Sequence, residues 1–303
     1  MLQAMIDIGS NTIRMAVYQI QGSHAVQVMK RKHTVGLSAY VKGGVMQQEG
    51  ILRASEVVGE YRDFLAGMGV ENVVAFTTAA LRNAKNSADA VAEIEKRAGV
   101  PIRVISGEEE AAFDFAGAIH DLSADRGVIL DIGGGSTEII LYRARRVLQK
   151  MSLPFGSLSL KVAYVHGLLP TPEEAGTIRK NVSQLIDLIC CKLPLMRDVS
   201  ACGLGGTFKG TWALYRSMYD LGTDDARMET RRFAEMIGRY VSGAPLAEED
   251  AERLMIAAPD RIHTLFPGLI LADALAEKLG CREMVYSDSG VREGYLYSEI
   301  LQS

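Results

Sequence analysis

Short apolar runs and amphipathic stretches alternate along this chain in two successive series. In the first, Met5-Ile6 leads into Asp7, a turn follows at Gly9, and Ile13 to Ile20 resumes a β-like run. Val26 to Thr34 reads as a third strand, joined through Gln21-Gly22-Ser23-His24. Residues 48 to 68 place apolar side chains at Ile51, Ala54, Val58, Tyr61, Leu65 and Met68, steps of three and four that mark one face of a helix. Val73 to Phe76 predicts a buried strand, Ser87 to Ala98 a helix, Ile102 to Ile105 a strand and Glu108 to His120 a helix. Strands alternating with helices imply parallel crossovers beside an antiparallel hairpin.

The second series restarts at Val128-Ile129-Leu130, ends that run in Asp131, turns at Gly133-Gly134-Gly135 and returns through Ile139 to Tyr142. A turn near Arg143 to Arg146 leads to a third strand ending at Leu153. Helices are predicted over 157–166 and 173–193, the latter with Pro172 near its first turn. Ala201-Cys202 runs into Gly203-Leu204-Gly205-Gly206-Thr207 and a helix to about Tyr215. Residues 231–242, 247–257 and 268–279 read as helices, Met284 to Tyr286 as a last strand and Arg292 to Leu301 as a closing helix. The fold class is therefore α/β, with two duplicated domains and a cleft between them. The boundary falls near 120–127, giving domains 1–124 and 125–303, with the closing helix able to pack back on the first.

The two strand–turn–strand units carry the chemistry. Asp7-Ile8-Gly9-Ser10-Asn11-Thr12 and Asp131-Ile132-Gly133-Gly134-Gly135-Ser136-Thr137-Glu138 each put Asp before a Gly turn and hydroxyls after it. Glycine permits close backbone approach, so successive amides can point into one anion-sized cavity. Hydroxyls add donors, and the Asp beside each turn can hold a cation that bridges phosphate oxygens. Neither unit is a Walker loop or a dinucleotide fingerprint, because those run from a strand into a helix. Two facing copies would grip one phosphorylated ligand between the domains.

Ligands of open α/β sheets bind beyond the carboxyl ends of the strands. The loops there supply Thr77, Thr78 and Arg82, then Ser106, Gly107 and Glu108-Glu109-Glu110, then the Gly205-Gly206-Thr207 turn before a helix. The Glu run has a structural explanation too, since first-turn acids complement the helix dipole by about 0.3–1 kcal/mol each. Beside a phosphate nest, however, a carboxylate is repulsive unless it holds a metal or activates water. Arg82 is a candidate phosphate fork.

Composition narrows the class. A chain of 303 residues suits two domains of about 150 residues each. No apolar run approaches the roughly 18 residues of a membrane span, and Asp7 interrupts the first apolar stretch, so neither membrane insertion nor a signal peptide is expected. Cys190, Cys191, Cys202 and Cys281 lack C-x-x-C spacing and read as reduced thiols, which points to the cytoplasm. The histidines (His24, His33, His120, His166, His263) form no metal-binding cluster motif. A net charge of −4 argues against nucleic acid bound over the whole surface, so any polyanion must enter a local basic cleft.

With these residues in view, the chain resembles the acetate kinase/sugar kinase/Hsp70/actin superfamily, whose domains are actin-like (ribonuclease H-like). It is most similar to the exopolyphosphatase/guanosine-pentaphosphatase branch. The resemblance rests on Asp7 to Thr12, Thr78 to Asn86, Ile105 to Ala111 with Gly117, Asp131 to Glu138, Ser152 to Gly156, Gly203 to Thr207 and Arg292-Glu293-Gly294, in order from end to end. It implies Glu110 as the base that orients water, with Glu138 supporting metal or water from the second hairpin. It implies Asp131, with Asp7 and Glu138, as the site of an essential magnesium ion (Mg2+). Ser10, Asn11, Thr12, Gly133, Gly134, Gly135, Ser136, Gly205, Gly206 and Thr207 would cradle phosphate, and Arg82 would clamp it. Thr12 and Ala79 stand where many relatives carry Ser.

The implied function is magnesium-dependent hydrolysis of terminal phosphoanhydride bonds in inorganic polyphosphate. Guanosine pentaphosphate is the rival substrate, and a non-catalytic actin-like nucleotide-binding scaffold the remote alternative. Larger relatives add a C-terminal helical region, so this chain resembles the short, two-domain form. Dimers are common in that family, which makes a homodimer an expectation of the resemblance alone.

Overall fold

The computed structural model describes residues 1–301 other than 121, 123, 191–198, 223 and 224. Three antiparallel strands open the chain: β1 (Leu2–Ile8), β2 (Thr12–Gln21) and β3 (His24–Thr34). A small ribbon follows, β4 (Val41–Lys42) with β5 (Val45–Met46), and then α1 (Gln48–Gly67). Next come β6 (Asn72–Thr77), α2 (Ala79–Arg82), α3 (Ser87–Ala98), β7 (Ile102–Val104) and α4 (Gly107–Ala118). The five large strands form one sheet in the order β3-β2-β1-β6-β7, in which β1, β6 and β7 are parallel.

The second half repeats this plan. Strands β8 (Arg126–Ile132), β9 (Thr137–Arg143) and β10 (Arg146–Leu153) are antiparallel neighbours, followed by α5 (Ser157–Tyr164) and α6 (Pro172–Cys190). Then come β11 (Val199–Leu204), α7 (Gly205–Met218), β12 (Arg227–Glu229), α8 (Arg231–Tyr240), α9 (Glu248–Ala257), α10 (Ile262–Leu279), β13 (Cys281–Tyr286) and α11 (Val291–Tyr295). The second sheet runs β10-β9-β8-β11-β13-β12. Without the edge strand β12 it has the order and the strand directions of the first sheet. That shared order, with an antiparallel meander beside two parallel strands, is the ribonuclease H-like plan of actin-like domains.

Burial explains why β1 and β8 read as continuous apolar runs rather than alternating ones. Both are central strands with side chains covered on each face, as strands between helical layers must be. In the first sheet, Ala4, Ile6 and Ile8 pack under α1 and α3, while Met5 faces Phe113 of α4 and Tyr295 of α11. Helix α4 also serves the second sheet: its Ala111 and Ala118 pack with Ile129, Ile140 and Leu204. It is thus wedged between the two sheets. Its crossing with α11 is backbone-close, since a side chain at Gly117 would strike the Gly290 carbonyl and one at Gly294 the Phe113 carbonyl.

Several elements differ from the sequence expectation. Helix α10 begins at Ile262, six residues before the expected start, and contains Pro267. Proline removes its own N–H bond and its ring crowds the carbonyl four residues back, a cost that burial along the face from Thr264 to Leu279 offsets. Short β4, β5, α2 and β12 escape periodicity because two to four residues carry no period. The closing helix stops at Tyr295 and continues as a π-type turn, Leu296–Ile300. Cys202 and Cys281 are buried thiols. Cys191, the end of the expected helix 173–193 and the side chain of Cys190 lie outside the described residues. Among the described residues no helix is long and apolar enough to cross a membrane.

Candidate active site

The two hairpins close their turns with the same internal bond. Gly9 N–H donates to the Thr12 carbonyl at 3.1 Å, and Gly133 N–H to the Ser136 carbonyl at 3.0 Å. The turns also meet across the cleft: a Cβ on Gly134 would lie 3.1 Å from the Asn11 nitrogen, and one on Gly135 only 2.6 Å from Ser10 Oγ. Glycine is required there because the two backbones approach each other directly. The third turn has the same need. Gly205 adopts φ 77°, and a side chain on it would collide with Asp131, while one on Gly206 would collide with Arg261.

Cross-strand register gives the two Asp residues opposite partners. Asp7 pairs with Arg14, whose Nη1 lies 3.7 Å from its carboxylate. Asp131 pairs with Glu138, another carboxylate. Burial raises the pKa of Asp7, with Arg14 opposing the rise. Burial pushes Asp131 up to about 6, and lifts Glu138 well above the carboxylate range, reinforced by the charges of Glu110 and Asp131. Ser152 Oγ donates to Glu138 Oε1 at 2.7 Å, whereas Glu138 Oε2 and Asp131 Oδ1 are buried without a hydrogen-bond partner.

The Glu108-Glu109-Glu110 run separates into three environments. Glu109 closes a capping box with Ser106 (Ser106 N–H to Oε2, 2.8 Å; Glu109 N–H to Ser106 Oγ, 3.1 Å) and pairs with Arg103 at 2.6 Å. Glu108 is exposed. Glu110 alone turns inward, where Arg82 Nη1 donates to its Oε2 at 2.5 Å. Burial lifts Glu110 to about 7 despite that guanidinium. One helical turn later Asp114 is completely buried, and neither of its carboxylate oxygens has a hydrogen-bond partner. Asp114, Asp131 and Glu138 each bring an oxygen within 4.8 Å of the other two.

These groups border an interdomain cavity of about 360 Å³. Asp7, Ser10, Asn11, Thr12, Glu110, Asp131, Gly133, Gly134, Gly135, Ser136, Gly205, Gly206 and Thr207 all line it. Glu138 lies under the lining, beside Asp131. Arg82 does not reach the cavity directly. It borders an adjoining depression with Ser106, Gly107 and Ser152, and touches the main cavity through Glu110. Lys209 and Arg292 line the cavity, joined by Arg14, Arg31 and Arg261 and by Lys30 and Lys32 of the edge strand β3. Arg261 is pulled down to about 10 by burial and by the charge of Arg14. Across the mouth, Lys30 and Lys209 reach Asp288 at 3.7 and 3.0 Å, and Lys32 pairs with Asp260.

Sequence reasoning missed Arg14, Asp114, Arg261 and Asp288. Arg14 had a usable signal, because it stands seven residues after Asp7 as Glu138 stands after Asp131. Asp114 is flanked by Phe113 and Phe115 inside a helix, and Arg261 reaches the turn at Gly206 from 55 residues away in sequence, so neither had a local signal.

The donor set bears on a metal. Buried carboxylate oxygens with no hydrogen-bond partner are strongly unfavourable in a protein interior unless a proton or cation joins them. Oxygen-only donors suit a hard divalent ion such as magnesium. Asp131 and Glu138 fit such an ion; Asp7, also expected there, lies outside the group of converging oxygens and pairs with Arg14.

Comparison with known proteins agrees with this architecture. A Haemophilus influenzae protein, provisionally named an exopolyphosphatase, is 28% identical over 298 residues, covering 97% of this chain and 90% of its own length. The Aquifex aeolicus PPX-GPPA enzyme is 25% identical, with a TM-score of 0.74 and 99% of both chains covered. An exopolyphosphatase from Cytophaga hutchinsonii superposes with a TM-score of 0.83 at 21% identity, over 100% of this chain and 98% of that one. The sequence profile of the Ppx/GppA phosphatase family matches residues 16–303, and the chain belongs to that family.

Proposed function

We propose that this protein is a magnesium-dependent exopolyphosphatase, releasing orthophosphate from the end of an inorganic polyphosphate chain. The observation that carries the proposal is the pairing, within one cleft, of three amide-rich turns and a basic wall with a buried carboxylate, Glu110, aimed at the same space. Glycine amides, hydroxyls and guanidiniums are the groups that hold phosphate.

Phosphoanhydride cleavage requires charge neutralisation, in-line alignment and a positioned water. The turns at Ser10 to Thr12, Gly133 to Ser136 and Gly205 to Thr207 hold the terminal phosphoryl group from two sides. Arg14 and Arg261 draw the anion in, and Lys30, Arg31 and Lys32 line the way along β3. Glu110 accepts the proton of the attacking water, and its pKa near neutrality suits that task. Arg82 holds Glu110 in place through their ion pair. Asp131 and Glu138 would hold the magnesium ion. When bound, magnesium supplies positive charge that offsets the crowded phosphate oxygens. The bond between the terminal phosphorus and the bridging oxygen breaks, leaving a chain shorter by one phosphate.

Guanosine pentaphosphate carries the same bond type, so the test offers both substrates. Orthophosphate release is measured with polyphosphate and with guanosine pentaphosphate at equal concentration in magnesium buffer. The proposal expects polyphosphate to be the better substrate by kcat/KM. Cleavage of guanosine pentaphosphate alone, or of neither, would overturn it.

A further inference from the structure

Asp114 is the buried charge that the proposed reaction leaves unused. It sits on α4 four residues after Glu110, on the same helix face, and no part of its carboxylate reaches solvent. Its surroundings are otherwise those of a core: Phe113 packs toward the first sheet, and Ala111 and Ala118 toward the second. The Gly290 backbone closes one side, where an added Cβ would lie 3.4 Å from Asp114 Oδ1. Both Asp114 oxygens, Asp131 Oδ1 and Glu138 Oε2 are buried without hydrogen-bond partners.

Two kinds of occupant could relieve this group. One proton joins only two of these four oxygens, so protons alone would need at least two. A divalent ion joins an oxygen from every member at once. Ligands on opposite sides of an ion at about 2.1–2.4 Å stand about 4.2–4.8 Å apart, and the three carboxylates already converge within 4.8 Å. Arg82 is engaged with Glu110, and Arg14, 3.7 Å from Asp7, also offsets the charge of Asp131, but among the described residues no arginine is paired with Asp114 or Glu138. Ser152 holds the other Glu138 oxygen, and Oε2 is left buried without a hydrogen-bond partner.

We infer that Asp114 joins Asp131 and Glu138 as the third protein ligand of one buried divalent cation. The ion so held ties α4, the helix wedged between the two sheets, to the β8–β9 hairpin. The inference rests on the reading of Asp131 and Glu138 as cation ligands and extends it to a residue outside the turn motifs. Asp114 is assigned no contact with the reacting phosphate.

Manganese is the probe, because free Mn2+ gives an electron paramagnetic resonance signal that disappears on binding and no substrate is needed. Metal-stripped parent protein and Asp114→Asn are titrated with Mn2+ alone, and thermal melts are recorded in EDTA and in Mn2+. The expected result is a dissociation constant raised roughly 10- to 100-fold in Asp114→Asn, with the Mn2+-induced rise in melting temperature largely lost. If Asp114→Asn does not yield folded protein, Asp114→Ala, which only removes atoms, carries the same readout. Equal Mn2+ affinity in parent and variant, or no Mn2+ binding by the parent, would overturn the inference. Because the titration is substrate-free, a failure to hydrolyse polyphosphate leaves this result readable, and unchanged Mn2+ affinity leaves the polyphosphate assay readable.

Discussion

The β1–β2 and β8–β9 hairpins are one structural unit used twice, and they differ most where it matters chemically. The same seven-residue spacing and the same strand register put Arg14 opposite Asp7 in one and Glu138 opposite Asp131 in the other. The first pair is internally compensated, the second doubles its negative charge. A guanidinium–carboxylate pair, with Asp7 buried and Arg14 partly exposed, leaves the surrounding amides and hydroxyls available to an anion. Two adjacent carboxylates instead favour a proton or a cation between them. Duplication thus supplies the scaffold, and one cross-strand exchange divides labour: on the proposed function both turns face phosphate, and the carboxylate pair of the second also faces metal.

The most severe test of the second hairpin is to remove the proposed cation. EDTA, or Asp131→Ala, is expected to abolish orthophosphate release; undiminished release in EDTA would show that the chemistry runs without it. Next in size is the proposed base. Glu110→Gln keeps shape and hydrogen bonding but not the proton acceptor, so turnover should fall by roughly 10²–10⁴ while polyphosphate binding by filter retention persists. Near-normal turnover in the folded variant would remove Glu110 from the mechanism.

The smallest effect sharpens the electrostatic contrast. Glu110 and Asp131 titrate near 7 and 6 in the folded protein, against 4.5 and 3.8 for ordinary carboxyls. A raised carboxyl pKa means that the folded state binds more protons than the unfolded one between those values. Its stabilising contribution is therefore complete below about pH 4 and lost as pH rises through 6 to 7. In EDTA the melting temperature should fall between pH 5 and 8, on the order of 5 °C, and magnesium should offset much of that fall. A flat profile in EDTA would mean that the carboxylates are compensated within the protein.

Much of this was legible in the sequence because the informative residues are local. The D-I-G turns, the Gly205-Gly206-Thr207 loop and Glu110 beside a helix start are each recognisable within eight residues, and the alternation of strands and helices gave the α/β plan. What was not legible depends on register and long-range closure. Arg82 reads as a phosphate clamp, yet the fold places it behind Glu110, at the adjoining depression. Nothing in Phe113-Asp114-Phe115 tells an exposed acid on an amphipathic helix from a buried one, because α4 is covered on two sides by sheets that the local pattern does not reveal. The β3 lysines look like a solvated edge until Asp260 and Asp288, more than 200 residues later, are brought against them.

The division of labour between the hairpins is tested most directly by steady-state orthophosphate release from polyphosphate across a magnesium series, with Arg14→Gln and Glu138→Gln measured beside the parent. Arg14→Gln is expected to raise KM and leave the magnesium requirement where it was. Glu138→Gln is predicted to lower kcat and raise the magnesium concentration needed for half-maximal rate. The same shift in KM, kcat and magnesium requirement in both variants would contradict it.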